Sequence, residues 1–200
     1  MSNSVHVLIV AAGSSKRMPN HIKQLLPWKK TTLLGNTIEQ VAPLVDKIHV
    51  VLGAYADQIQ ATLSENVQVH INPNWENGMG TSIAFGVKEL MEPNQNLEAV
   101  MVLVPDQPLI DSMHLNALKT AFFNHTSVNT VATDYGNNHK GVPAIFGSIL
   151  FPRLTELNAD FGAKHIIEEN TESLLLVPGN GKEIDVDTYS SYQELVATIN

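Results

Sequence analysis

Cysteine is absent from this 200-residue chain. That excludes disulfides, thiolate metal sites and a cysteine nucleophile, and it suits a reducing cytoplasm, the expected location. Basic residues are scarce: 12 Lys and Arg stand against 20 Asp and Glu, a formal net charge of −8. No basic stripe offsets that acidity, so nucleic acid is not an expected partner. Long apolar runs are lacking as well. The run at 5–12 is too short for a membrane span, and no basic residues precede it as a signal peptide requires. The expectation is a soluble protein with no membrane partner.

What is present is enough to fold. An apolar fraction of 44% can supply a full core for one domain over 1–200, and no repeat, low-complexity tract or long linker divides the chain. Apolar, β-branched runs at 5–10, 47–52, 67–71, 99–104 and 130–133 predict strands. Between them, helical periodicity falls at 33–45, 56–63, 81–91 and 113–123. Alternating strands and helices imply right-handed βαβ units and a mostly parallel sheet covered on both faces. The second half is less regular, with strands expected at 141–146 and 173–177 and helices at 149–157, 163–169 and 192–199. In open α/β sheets ligands bind beyond the carboxyl ends of strands, and Gly13, Gly53, Pro105 and Asp106 all sit just past such ends.

The segment Val7-Leu8-Ile9-Val10-Ala11-Ala12-Gly13-Ser14-Ser15-Lys16-Arg17-Met18 runs a buried strand into a turn of small residues followed by cations, and Lys23-Gln24-Leu25-Leu26-Pro27 comes after it. Gly13 can take the backbone angles of a sharp turn, while Ser14 and Ser15 leave amide N–H groups open to an anion. Arg17 offers a planar fork and Lys23 a mobile point charge. The loop is neither a Walker A motif nor a dinucleotide fingerprint, since Gly-x-x-x-x-Gly-Lys-Ser/Thr and Gly-x-Gly-x-x-Gly are both missing. An ordinary βα turn with surface cations is the plain alternative.

Further segments carry polar chemistry. Asp106 follows an apolar strand, where a carboxylate is costly unless paired or metal-bound, and Pro108 forces the chain to turn there. A turn or helix-capping aspartate is the competing reading. Gly78-Met79-Gly80-Thr81-Ser82 opens a helix, with Thr81 or Ser82 as cap or ligand contact and a helix N-terminus that favours phosphate. Asp185 and Asp187 alternate to one side of an expected strand, with Asp187 also suited to cap the last helix. Lys164 reads equally as a phosphate contact or a solvated helix residue. The eight histidines show no metal spacing, and His139 and Lys140 read as surface loop. Trp28 and Trp75 read as packing residues, Trp75 beside the mouth of a site.

These segments, in this order, resemble the nucleotidyltransferases that read Leu-Ala-Ala-Gly-x-Ser-x-Arg-Met-Gly with a downstream Lys. The likeness is greatest to the MocA-like molybdenum cofactor cytidylyltransferases. It extends through Asn72-Pro73-Asn74-Trp75, Val104-Pro105-Asp106-Gln107-Pro108-Leu109, Asp160-Phe161-Gly162-Ala163-Lys164 and Asp185-Val186-Asp187-Thr188. The sequence departs where Pro19-Asn20-His21-Ile22 separates Met18 from Lys23, and where Tyr189-Ser190-Ser191 replaces Pro-Glu-Asp. The resemblance implies an α/β, Rossmann-like (GT-A-like) nucleotidyltransferase fold. It implies Arg17, Lys23 and Asp106 as catalytic residues. It implies a nucleotide held by Ala11, Ala12, Gly13, Ser14, Ser15, Lys23, Gly78, Gly80, Thr81, Ser82 and Asp106, and Mg²⁺ held by Asp106 and Asp185. The implied substrates are CTP and a molybdopterin-type acceptor, with a molybdoenzyme as client. Competing readings are a MobA-like guanylyltransferase using GTP, which usually has Ala-Gly-Gly at 11–13, and a methylerythritol phosphate cytidylyltransferase, which usually carries a lysine near Asp185. A weakly catalytic nucleotide-binding accessory protein is the reading outside enzymes.

Overall fold

A computed structural model describes residues 5–45, 47–91, 97–159 and 162–199. The strands are β1 (Val5–Val10), β2 (Pro27–Trp28), β3 (Thr31–Thr32), β4 (Ile48–Leu52), β5 (Val67–Ile71), β6 (Ala99–Leu103), β7 (Thr130–Gly136), β8 (His139–Gly147) and β9 (Leu174–Pro178). The helices are α1 (Leu33–Val41), α2 (Ala56–Gln60), α3 (Met79–Leu90), α4 (Ser112–Asn124), α5 (Phe151–Thr155), α6 (Ala163–Glu169) and α7 (Tyr189–Ile199). Seven strands form one sheet in the order β5-β4-β1-β6-β8-β7-β9, and β2 pairs only with β3.

β1 is the axis. It pairs in parallel with β4 on one side (Val7↔Ile48, Ile9↔Val50) and with β6 on the other (Val7↔Met101, Ile9↔Leu103). All three strands are buried along their whole length, which fits their unbroken apolar runs. Leu8 and Val10 face a core that includes Ile83 and Val87 of α3 with Leu154 and Ile166, while Val7 and Ile9 face Leu34 of α1 and Leu115 of α4. α3 lies close against β1 because position 86 is glycine: a Cβ there would come within 2.5 Å of Leu8 and 2.7 Å of Val51.

The expected parallel pattern breaks after β6. β8 runs antiparallel to both β6 and β7, and only β9 restores a parallel pair. The strand expected at 130–133 continues to Gly136 and turns back through Asn137 and Asn138, whose φ values of 52° and 62° make the tight hairpin turn. Pro143 cannot donate to a ladder, and the β7–β8 register slips between Ala132 and Thr133 opposite it. The helix expected at 33–45 ends at Val41, two residues before Pro43, and continues as a 3₁₀ turn. That expected at 149–157 is likewise a 3₁₀ turn followed by the short α5. The segment around Asp185 and Asp187 is not a strand; Val186 makes one backbone bond, its N–H donating to Asp106 O at 2.8 Å. Among the described residues no helix is long and apolar enough to cross a membrane.

Three histidines cross the sheet beneath α3. The rings of His6 and His49 stack with centroids 5.3 Å apart, and those of His49 and His70 at 5.2 Å. His49 Nδ1 lies 2.9 Å from His70 Nε2, and His70 Nδ1 lies 3.3 Å from Glu89 of α3. Burial, and then the charges of His70, His6 and Lys47, push His49 down to about 3. The unfolded chain binds a proton at His49 below its ordinary value of 6.5, and the folded chain refuses it until about 3. Stability from this group is therefore complete above the unfolded value and is lost as pH falls through that window. Urea midpoints taken at about pH 7, 5.5 and 4 should show a shallower acid loss for His49→Leu than for the wild type. An unchanged slope would assign the acid loss to other groups.

Candidate active site

Sequence order reverses on either side of β1, so the crevice beyond the ends of β1 and β6 is where this topology presents a ligand site. A cleft of about 440 Å³ opens there. Its floor is the stretch from Val10 to Met18, one wall is Trp75, Glu76, Gly78, Met79 and Ser82, and Val104, Pro105, Asp106 and Asp187 close the far side.

The loop after β1 is held by side chains. Gln24 is buried, and its Nε2 donates to Ala11 O and Gly13 O, both at 2.9 Å. Ser15 takes the left-handed conformation, with φ 55°, and its hydroxyl accepts from Lys23 N at 3.0 Å. The sequence placed that conformational demand on Gly13, but Gly13 has no positive φ, and a Cβ added there meets nothing within 4 Å. Gly13 lines the cleft, so a side chain at position 13 would take up part of that space. Of the two glycines that line the cleft, Gly78, at φ 105°, is the one whose backbone requires it.

Charge gathers at one end. Lys23 Nζ donates to Asp106 Oδ2 at 2.6 Å, and both side chains are largely buried. The other oxygen, Asp106 Oδ1, is buried with no hydrogen-bond partner. Arg17 donates two hydrogen bonds to Asp187, at 3.0 and 2.7 Å, and Lys23 Nζ lies 3.8 Å from the same carboxylate. Asp187 therefore belongs to the cleft and not to a helix cap. Thr188 caps α7 instead, accepting from Ser191 N at 3.1 Å.

Asp185 does not line the cleft. Its carboxyl is raised by desolvation first and by the Asp106 charge second, with Gln107 opposing, although the residue as a whole is solvent-exposed and water tempers both effects. Gln107 Nε2 donates to Tyr135 OH at 3.0 Å, and burial above all pushes that phenol up to about 12.

Of the residues expected at a nucleotide, Ala11, Ala12, Gly13, Ser14, Ser15, Lys23, Gly78, Ser82 and Asp106 line the cleft, as does Arg17. Gly80 and Thr81 do not. Gly80 N donates to Ala159 O at 2.9 Å, and Thr81 Oγ1 lies 2.8 Å from Gly78 O and 3.2 Å from Asn74 O, so both brace the turn into α3. Asp160 and Phe161 lie outside the described residues. Gln24, Lys16, Glu76 and Met79 were not singled out from the sequence, yet all line the cleft. Lys16 had a signal as one of the cations after the small-residue turn, and Gln24 had one as a polar residue beside Leu25 and Leu26.

A second cavity of about 380 Å³ shares the wall formed by Val10, Met79 and Val104. His139 and Lys140, which the sequence read as surface loop, and Lys164, which it left open between phosphate contact and solvated helix residue, all line it, as does Tyr135. Gly141 makes room for that phenol, since a Cβ there would come within 2.7 Å of its oxygen.

A mostly parallel α/β sheet with a cation-bearing loop at its switch point is the setting in which α/β folds hold phosphate-bearing ligands. Residues 7–174 match the MobA-like NTP transferase domain, and the chain belongs to that nucleotidyltransferase family. Asp185 and Asp187 lie beyond the matched stretch. The bifunctional protein GlmU of Xylella fastidiosa strain 9a5c is 30% identical over 153 residues, which are 75% of this chain but 31% of that protein, so the chain spans about a third of such relatives. The purine catabolism protein PucB of Bacillus subtilis strain 168 is 24% identical over 197 residues and 92% of each chain. Among solved structures, a nucleotidyl transferase from Methanothermobacter thermautotroptrophicus, Mth528, has a TM-score of 0.82 at 21% identity, covering 98% of this chain and 97% of that one. Rv0371c of Mycobacterium tuberculosis H37Rv in complex with manganese has a TM-score of 0.77 at 22% identity, covering 97% and 98%.

The geometry over position 13 separates folding from binding. Gly13→Ala should leave the unfolding free energy, from urea titration, within about 0.5 kcal/mol of wild type, because the added methyl meets no protein atom within 4 Å. Nucleotide affinity, measured by calorimetry, should fall at least about tenfold, as overfilling a tight site does. Unchanged affinity would place the nucleotide away from this loop.

Proposed function

We propose that the protein is a cytidylyltransferase of the MocA type, transferring CMP from CTP to the phosphate of a molybdopterin-type acceptor. An oxygen of the acceptor phosphate forms a bond to the α-phosphorus, the bond from that phosphorus to the bridging α–β oxygen breaks, and pyrophosphate leaves. The observation that carries this reading is a shared wall. The cleft with the cation-bearing loop and the second cavity with Lys140 and Lys164 meet at Val10, Met79 and Val104, as two substrates that must touch require.

In this reading the open amides of the 13–15 loop, with Arg17 and Lys23, cradle the triphosphate. Those cations stabilise charge as it moves to the departing pyrophosphate. Lys140 and Lys164 orient the acceptor phosphate toward the cleft, and the apolar walls of the second cavity hold the acceptor's body.

Among the described residues no group of three or more His, Cys, Asp or Glu converges as a metal cage. A nucleotide-borne divalent cation needs fewer, one or two carboxylates with phosphate and water completing its shell. The partnerless buried oxygen of Asp106 fits that demand. Asp106 and the cleft-lining Asp187 would hold the ion, Mg²⁺ in this proposal, in place of the pair Asp106 and Asp185. Bound there, it would supply neutralisation of phosphate charge.

Asp106→Ala should fold and should lose at least about 10²-fold in pyrophosphate release, the scale of removing one electrostatic stabiliser. Near-normal turnover would remove Asp106 from the reaction. For the base, Ala12 is buried and adds a methyl where guanine users carry glycine. Calorimetry with CTP and GTP should favour CTP by about 10²-fold, and Ala12→Gly should narrow the gap without abolishing binding. Tighter binding of GTP would replace this reading with a guanylyltransferase.

A further inference from the structure

Two cations of the cleft, Lys23 and Arg17, are paired with two of its carboxylates, Asp106 and Asp187, so in these pairs the groups suited to phosphate are bound to the groups suited to a metal. Lys23 is tied to Asp106 at 2.6 Å with side chains only 16% and 20% exposed, and Arg17 is forked onto Asp187 with side chains 67% and 40% exposed. A triphosphate arriving alone must take Lys23 from Asp106 and leave a largely buried carboxylate without its cation. A divalent cation arriving alone must take Asp106 and leave Lys23 stranded. Either half-exchange breaks a desolvated pair by removing one partner, the costly way to break one. Arriving together, the two ligands replace both pairs and strand nothing.

The lock is also held mechanically. Val186 N donates to Asp106 O, His21 stacks on Tyr189 with centroids 4.2 Å apart, and Tyr192 OH donates to Pro27 O at 2.6 Å. Pro19-Asn20-His21-Ile22 and Tyr189-Ser190-Ser191, the two stretches in which this sequence departs from the pattern it resembles, meet in that stack.

We propose that Lys23–Asp106 and Arg17–Asp187 form an autoinhibitory charge lock, which makes nucleotide and divalent cation bind as a mutually dependent pair. The lock rests on the nucleotidyltransferase reading of the cleft. It predicts an effect opposite to simple loss of function: removing a catalytic carboxylate should improve binding of metal-free nucleotide.

Calorimetric titration of CTP, with EDTA and separately with Mg²⁺, tests it in the whole chain. In EDTA, Asp106→Asn should bind CTP about tenfold tighter than wild type, a change equivalent to about 1.4 kcal/mol. Asp187→Asn, whose pair is more exposed, should gain about threefold, and Asp185→Asn, whose carboxylate forms no ion pair among the described residues, less than about twofold. The Asp106→Asn gain should vanish in a Lys23→Ala background, and thermal melts would verify that each variant folds. Equal gains in all three aspartate variants, or a gain that survives Lys23→Ala, would overturn the lock and leave only diffuse charge repulsion. No gain in Asp106→Asn, with wild type still binding CTP in Mg²⁺, would overturn the lock alone. A wild type that binds neither CTP nor GTP in Mg²⁺ would overturn the nucleotidyltransferase reading with it.

Discussion

Parallel pairing on both sides of β1 is the constraint from which the site follows. The backbone of β1 is spent on β4 and β6, and its side chains are spent on two cores, so the strand is fixed in register and cannot slide. Because β4 and β6 leave it in opposite directions across the sheet, the chain just past Val10 meets no crossover above it. The space is open by topology. What fills it is decided by the short loops that follow β1 and β6, and those carry Gly13, Ser15, Lys23 and Asp106.

Fixed strands alone would leave those loops free to wander. Gln24 prevents this for the first loop by taking two carbonyl oxygens that no strand claims, and Val186 does it for the second by donating to Asp106 O. Each is a single residue satisfying backbone groups that would otherwise be stranded beside a buried core, where an unmade hydrogen bond is expensive. The side chains that present charge to the cleft are therefore mounted on supports that carry none.

The central strands were legible because burial on both faces leaves an unbroken apolar run, a pattern that neither a half-exposed strand nor an amphipathic helix produces. The loop at 11–18 was legible because its small residues and cations contrast with that run. The antiparallel turn of β7 and β8 was less so, since 141–146 reads as a strand in either direction and only the Asn137–Asn138 pair hints at a hairpin. Asp185 and Asp187 show where local pattern stops. Alternation treats them as twins, and neither periodicity nor capping rules can tell that Arg17, 170 positions earlier, selects one of them. Gln24 was missed for the same reason: its partners are carbonyl groups, which leave no trace in a sequence. Gly13 was read with a backbone demand that falls on Ser15, because glycine's tolerance of every conformation conceals which one it adopts.

The small cluster formed by Met18, Leu26, Trp28, Leu33, Val186 and Tyr192 joins the loop after β1 to a segment made after the whole sheet. A chain emerging from the ribosome can complete its sheet once β9 is out, with both large cores closed. The cleft at that moment still lacks Asp187 and the cover over Trp28. Every strand of the scaffold thus precedes in sequence the residues that finish the pocket, which are Asp187 and, through Val186 and Tyr192, the start of α7.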